Sequence, residues 1–229
     1  GGTASTYFGV ETFDVNYRAD VDAQSEAGLV GGSAGNSAQG SRSVNAVMAE
    51  AILPVTDYLE VDLAVRYDNY DDFGSEVSPR VGARFTMIDN LVVKASYGQG
   101  FRAPDLSDLY GATSFSAEDA KDYYGCSLDG ISEADCPNRQ FDTYIGSNPD
   151  LEAETSETMS FGVEYTYDNN WVAKVNYVTL ELQSAVEYVS AQDMLNVDRN
   201  TGGNNPQVDR NSLGAVTEIR AGYQNRSAG

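Results

Sequence analysis

The chain contains no histidine in its 229 residues. Imidazole metal sites, histidine-activated nucleophiles and histidine proton shuttles are therefore excluded within it. Basic residues are scarce as well, with 14 Lys and Arg against 35 Asp and Glu and a net charge of −21. Nucleic-acid phosphates are gripped by Lys and Arg, so no nucleic-acid partner is expected. There is no run of 18 apolar residues, hence no readable transmembrane helix. That does not exclude a spanning β-strand, which shows only about ten alternating residues. No Gly-rich phosphate loop follows a strand, and no Ser or Cys nucleophile has a histidine beside it. Carboxylate pairs are so frequent that their spacing carries no information. We expect no enzyme activity, no cofactor and no metal. The start, Gly1-Gly2-Thr3, lacks the basic-then-apolar pattern of a signal peptide, which suggests a fragment or a processed piece.

What is present alternates. The clearest run places Leu59, Val61, Leu63, Val65 and Tyr67 on one face and Glu60, Asp62, Ala64, Arg66 and Asp68 on the other. Such period-two patterning marks a strand with two different faces. Further strands are expected at about 7–18 (with mixed phase suggesting a bulge), 43–53, 78–87, 91–98, 158–167, 171–189 and 215–223. The turns at 54–57, 88–90 and 168–170 (Asp168-Asn169-Asn170) are short. The connections at 19–42, 71–77, 99–156 and 190–213 are longer, and the first includes the flexible run from Gly31 to Ser37. Short and long strictly alternate, as in an up-and-down barrel with short turns at one end. Tyr67, Tyr97, Tyr165, Tyr167, Trp171 and Tyr177 fall near expected strand ends, as an interfacial girdle requires; ordinary β-propensity of Tyr explains them equally.

The strand at 91–98 runs into Gly98-Gln99-Gly100-Phe101-Arg102-Ala103-Pro104-Asp105-Leu106-Ser107-Asp108-Leu109-Tyr110, where Pro104 removes a ladder donor. This segment resembles the place in TonB-dependent outer-membrane receptors where a barrel strand enters a long outer loop. Asn148-Pro149-Asp150-Leu151-Glu152-Ala153-Glu154 resembles the point of re-entry. The resemblance implies an all-β fold: an antiparallel, up-and-down transmembrane β-barrel segment. About eight of its strands would be present, from a barrel of about 22. Residues 1–229 would then be a partial barrel domain without plug domain or C-terminal strand, with a long outer loop at about 99–156. The family leads one to expect a terminal aromatic, whereas this chain ends Asn225-Arg226-Ser227-Ala228-Gly229. Also implied are the outer membrane of a Gram-negative bacterium, contact with its lipid, and coupling to TonB through an N-terminal part. The cargo implied is a small-molecule ligand: an iron-siderophore, cobalamin or a carbohydrate. A passive porin or adhesin barrel is the rival reading, and a secreted β-sandwich fits the composition but not the segregated loop lengths.

Candidate site residues sit in the long loop. Arg102 suits a carboxylate or phosphate, or else it neutralises an acidic wall while Pro104 sets the exit direction. Tyr110, Tyr123, Tyr124, Phe141 and Tyr144 form either a rigid aromatic ligand platform or the loop's own packing. Cys126 and Cys136, an even count in an exported context, read as a disulfide. The alternatives are a metal pair or two free thiols, and two thiolates without His make a poor zinc site. Asp71-Asp72 and Glu118-Asp119 lack calcium-loop spacing and read as solvated charge. The acidic surplus either steers cationic or metal-bearing ligands or serves solubility alone.

Overall fold

The computed structural model describes residues 2–31, 33–168 and 171–226. Asn169 and Asn170 of the expected 168–170 turn, Gly32 of the glycine run and residues 227–229 lie outside them. The chain opens with β1 (Ser5–Ala19), α1 (Ala23–Glu26) and β2 (Ser33–Ala34). Four long strands follow: β3 (Ala38–Pro54), β4 (Leu59–Tyr70), β5 (Gly74–Ile88) and β6 (Leu91–Arg102). A first excursion carries α2 (Leu106–Tyr110), β7 (Ser114–Ala120), α3 (Tyr123–Leu128) and β8 (Arg139–Gly146). The chain returns as β9 (Glu154–Tyr167) and β10 (Trp171–Gln183). A second excursion carries β11 (Ala185–Val189), α4 (Ala191–Asn200), β12 (Val208–Arg210) and β13 (Val216–Arg226).

Seven of these strands form an antiparallel wall in the order β1-β3-β4-β5-β6-β9-β10. Residues paired across strands share a face, and the register sorts the two faces by polarity. Leu59, Phe85, Val93, Val163 and Val175 are paired in one row. The neighbouring row is Glu60, Arg84, Lys94, Gly162 and Asn176. On the polar face Glu164 lies 3.1 Å from Lys94 and 3.2 Å from Lys174. Arg66 pairs there with Glu11 at 2.9 Å and Asp68 at 2.8 Å. The apolar face is left uncovered, with Phe161 51% and Val175 73% exposed. Every residue of β10 is exposed, so both its edge and its faces stand open.

Several expectations are corrected. β1 pairs with β3 without a bulge; its mixed phase reflects Phe8 and Val10 on one face and Phe13 and Val15 on the other. The register shift lies instead in β5, between Thr86 and Ile88. The 71–77 loop shrinks to Asp71-Asp72-Phe73, because β4 and β5 stay paired through the polar stretch to Tyr70 and Gly74. Asp71 and Asp72 are not simply solvated: Asp71 Oδ1 accepts from the Ser43 amide, and Asp72 is buried against Arg42. Tyr97 and Tyr177 sit mid-strand rather than at ends. The expected strand at 171–189 breaks at Ser184, whose φ of 53° turns β11 away from the wall. The strand expected at 215–223 exists as β13 but is not part of the wall.

The two excursions, with β2 from the β1–β3 connection, build a second sheet, β11-β13-β8-β7-β2, with β12 also paired to β13. β8 and β13 run parallel, Thr143 opposite Ile219 and Ile145 opposite Ala221. Both excursions feed one core: Ala120 and Phe141 from the first, Val189, Met194, Leu195, Val208 and Ile219 from the second. On α4, Ala191, Met194 and Leu195 fall at helical spacing and supply its buried stripe. A capping box of Ser190 and Asp193 starts that helix. The long loop is thus folded chain, with β6 extending to Arg102 and β9 beginning at Glu154.

Candidate functional site

The sheet over the wall is rooted where the two sequence motifs meet. Arg102 and Glu154 are register partners at the ends of β6 and β9, and their side chains form an ion pair. Glu154 is buried, and its second oxygen accepts from the Val186 amide at 2.7 Å, which ties in the second excursion. Gly100 faces Ser156, where an added Cβ would sit 3.2 Å from the hydroxyl. Phe101 packs edge-on to Tyr70, with centroids 5.8 Å apart. After Ala103, the carbonyl of buried Pro104 accepts from Arg42 at 2.9 Å. Arg42 also pairs with Asp72 at 2.8 Å and stacks on Tyr70 and Phe73. At the other motif Asn148 donates to the Tyr223 carbonyl, Pro149 is exposed, and Leu151 is fully packed. Asn225 closes this root by accepting from the Glu152 amide and donating to its carbonyl.

The seam between the excursions is charged and closed. Arg210 forks onto Asp122 at 2.6 and 2.8 Å and reaches Asp198 at 2.8 Å. Asp198 has no exposure, and its other oxygen accepts from the Asn205 amide. Burial works against the charge of Arg210, but these two carboxylates raise its pKa above the ordinary arginine value. Burial likewise pushes Asp122 up, and the fork from Arg210 overrides it and holds the carboxyl low. Gln192 adds two bonds to the Lys121 backbone. Cys126 and Cys136 are disulfide-bonded with Cα atoms 5.9 Å apart, and the Cys126 amide donates to the Asp122 carbonyl. The disulfide therefore braces the helix that begins at the Arg210 contact.

A cleft of about 500 Å³ opens beside this seam, along β8 and β13. Its volume is in the range of small-molecule sites. Tyr144, Ser147 and Asn148 come from the first excursion; Gln207, Glu218, Arg220 and Tyr223 come from the second. Tyr144 is set edge-on to Phe115 and Tyr223 edge-on to Tyr188. The strands touch so closely that a Cβ at Gly222 would stand 2.5 Å from the Gly146 carbonyl. Burial, with Asp108 and Asp105 nearby, pushes the Tyr223 phenol up.

Of the residues singled out in sequence, Tyr144 lines the cleft. Arg102 is engaged at the root. The ring of Tyr110 covers Gly40, where a Cβ would come within 2.6 Å of it. Tyr123 lies under Arg199, Tyr124 packs on Arg210 and Gly203, and Phe141 borders the core. Arg220, Glu218, Gln207 and Tyr223 escaped notice because 190–213 reads as a polar loop and 215–223 as wall. One signal was available: the Thr217, Ile219, Ala221, Tyr223 phase is less apolar than that of any wall strand from β4 to β9.

Comparison with known proteins gives a consistent result. A family model described as TonB dependent receptor-like, beta-barrel, matches residues 1–225. Ferric enterobactin receptor PirA of Pseudomonas aeruginosa is 29% identical over 197 residues, covering 80% of this chain and 23% of the relative. Vitamin B12 transporter BtuB of Photobacterium profundum is 29% identical over 90 residues, covering 38% and 15%. The chain thus spans about a quarter or less of the length of these curated relatives. Among solved structures, siderophore receptor PirA from Acinetobacter baumannii aligns with a TM-score of 0.66 at 16% identity, covering 98% of this chain and 30% of that one. A ferric enterobactin receptor mutant from Pseudomonas aeruginosa, solved with enterobactin, aligns at 0.58 and 20% identity, covering 82% and 23%. These structural likenesses establish a shared fold.

Proposed function

Because the chain belongs to the family of TonB-dependent receptor-like β-barrels, we propose that it forms a section of the wall and outer loops of a receptor for energised nutrient uptake. The carrying observation is the family match over residues 1–225, joined to the two motifs that meet as the Arg102–Glu154 pair. In this reading the uncovered apolar face meets outer-membrane lipid in a Gram-negative bacterium, and the polar face lines the lumen. The folded excursions stand outside, and their cleft receives a small-molecule ligand of the iron-chelate or cobalamin class named for the relatives. Coupling to TonB runs through parts of the receptor beyond these residues. The named relatives favour this reading over a passive porin or adhesin.

The test is uptake by cells that make the whole receptor. Radiolabelled iron-chelate or cobalamin uptake is expected to need both this gene and the proton gradient. Ligand flux that persists after the gradient is collapsed supports a passive pore instead.

A further inference from the structure

The charges of the outer module are not arranged for an anion. Residues 103–153 and 184–226 together hold 16 Asp and Glu against 6 Lys and Arg. Four of those six cations are already in ion pairs: Arg199 with Glu133, Arg210 with Asp122 and Asp198, Arg220 with Asp209 and Glu218, and Arg226 with Glu187. Among the described residues lining the cleft, Arg220 is the one cation. Its Nη1 donates to Asp209 at 2.8 Å and to Glu218 at 2.9 Å. Its Nη2 donates to Asp209 at 3.0 Å and to the Pro206 carbonyl at 2.8 Å. Glu218 and Arg220 are the charged residues of the lining and cancel each other; Asp209, which grips Arg220 from outside the lining, tips the local balance negative. An anionic ligand would have to compete with Asp209 and Glu218 for the donors of Arg220, and would meet their charge at close range.

The rest of the lining is suited to the opposite sign. Glu218 stands on the same face of β13 as Arg220, whose register partner on β8 is Tyr144, and an aromatic ring with a carboxylate is a usual receptor for an ammonium or other cation. Gln207 and Gln224 add neutral amide donors and acceptors, which recognise uncharged oxygens without a charge requirement.

We propose that this cleft selects a neutral or positively charged ligand, such as a ferric trihydroxamate, and disfavours the trianionic ferric tris-catecholate class. The assignment rests on the receptor reading above and narrows its ligand. It sets this chain apart from the relatives named for ferric enterobactin, which is such a trianion.

The test is calorimetric binding to the whole receptor with three probes of graded charge: ferrioxamine B, a cationic trihydroxamate; ferrichrome, a neutral one; and ferric enterobactin. The cation or the neutral chelate is expected to bind at least tenfold more tightly than the trianion, with the gap narrowing at high salt. Glu218→Gln, which removes one charge and keeps the shape, is expected to move the ratio at least threefold toward the trianion. Asp209→Asn serves as the second variant and should move it the same way. Tightest binding of the trianion, equal binding of all three, or binding of none overturns the assignment, as does a ratio that neither variant shifts. Gradient-dependent uptake without charge preference overturns it too, yet leaves the receptor reading standing.

Discussion

Arg210 is the residue on which the seam depends most. Without it Asp198, which has no exposure, and Asp122 both lose the cation they share. Breaking one side of a buried charge cluster costs about 3–5 kcal/mol. Arg210→Met is therefore expected to raise local opening of β12 and β13 at least a hundredfold in hydrogen exchange, and Arg210→Lys to restore only part, because an ammonium lacks the fork. Protection unchanged in both variants would remove Arg210 from that role. The pH dependence follows from Asp122. Its folded pKa is lowered from 3.8, so its contribution is complete above that value and is lost as pH falls through the lower folded value. Protection in the seam, corrected for the intrinsic pH dependence of amide exchange, should thus be flat from neutral pH to about 4 and fall below. None of this was legible in sequence, since Arg210 and Asp122 are separated by 88 positions and nothing local marks them as partners. Cys126 and Cys136 were easier, being the only two cysteines and ten residues apart.

At the scale of elements, the wall strands from β4 to β9 were legible because each carries one apolar face and one polar face. Alternation from Leu59 to Tyr67 announces both the strand and its faces. It stops informing where both faces turn polar, so the pairing of Tyr70 with Gly74 was read as loop. It also misleads at Ser184, where the pattern continues but a positive φ sends the chain into another sheet. Helix α3 was missed because it is only six residues long with Cys126 as its one buried residue, and α4 because it is polar on most sides and its buried stripe packs with Ala120 of the other excursion. The face assignment itself yields a prediction. Leu63 stands on the apolar face and Asp62 beside it on the polar face, directly opposite Gly82. Leu63→Arg should cost about 2–4 kcal/mol in barrel stability if it lies near the bilayer midplane. Folding titrations into lipid vesicles measure this, and tolerance of Leu63→Arg alongside loss from Asp62→Leu would reverse the faces.

For the whole molecule, the division is between an open wall of seven strands and a folded module that caps one end of it. The wall is held by register and lacks a core of its own, whereas the module has a buried cluster, a disulfide and a charged seam. Binding residues collect on loops that a rigid scaffold positions. Here the loops have become a scaffold themselves, and in the function proposed above this lowers the ordering cost of gripping a ligand. The sequence motifs placed both ends of the first excursion at the wall, but they did not reveal that the second excursion supplies half the cleft. The most direct measurement replaces residues 112–144 by a short Gly/Ser linker in the whole receptor, then follows surface ligand binding and heat-resistant barrel assembly separately. Binding should fall at least tenfold, about 1.4 kcal/mol or more, with assembly intact. Unchanged affinity in a normally assembled barrel would contradict the account and move recognition away from this module.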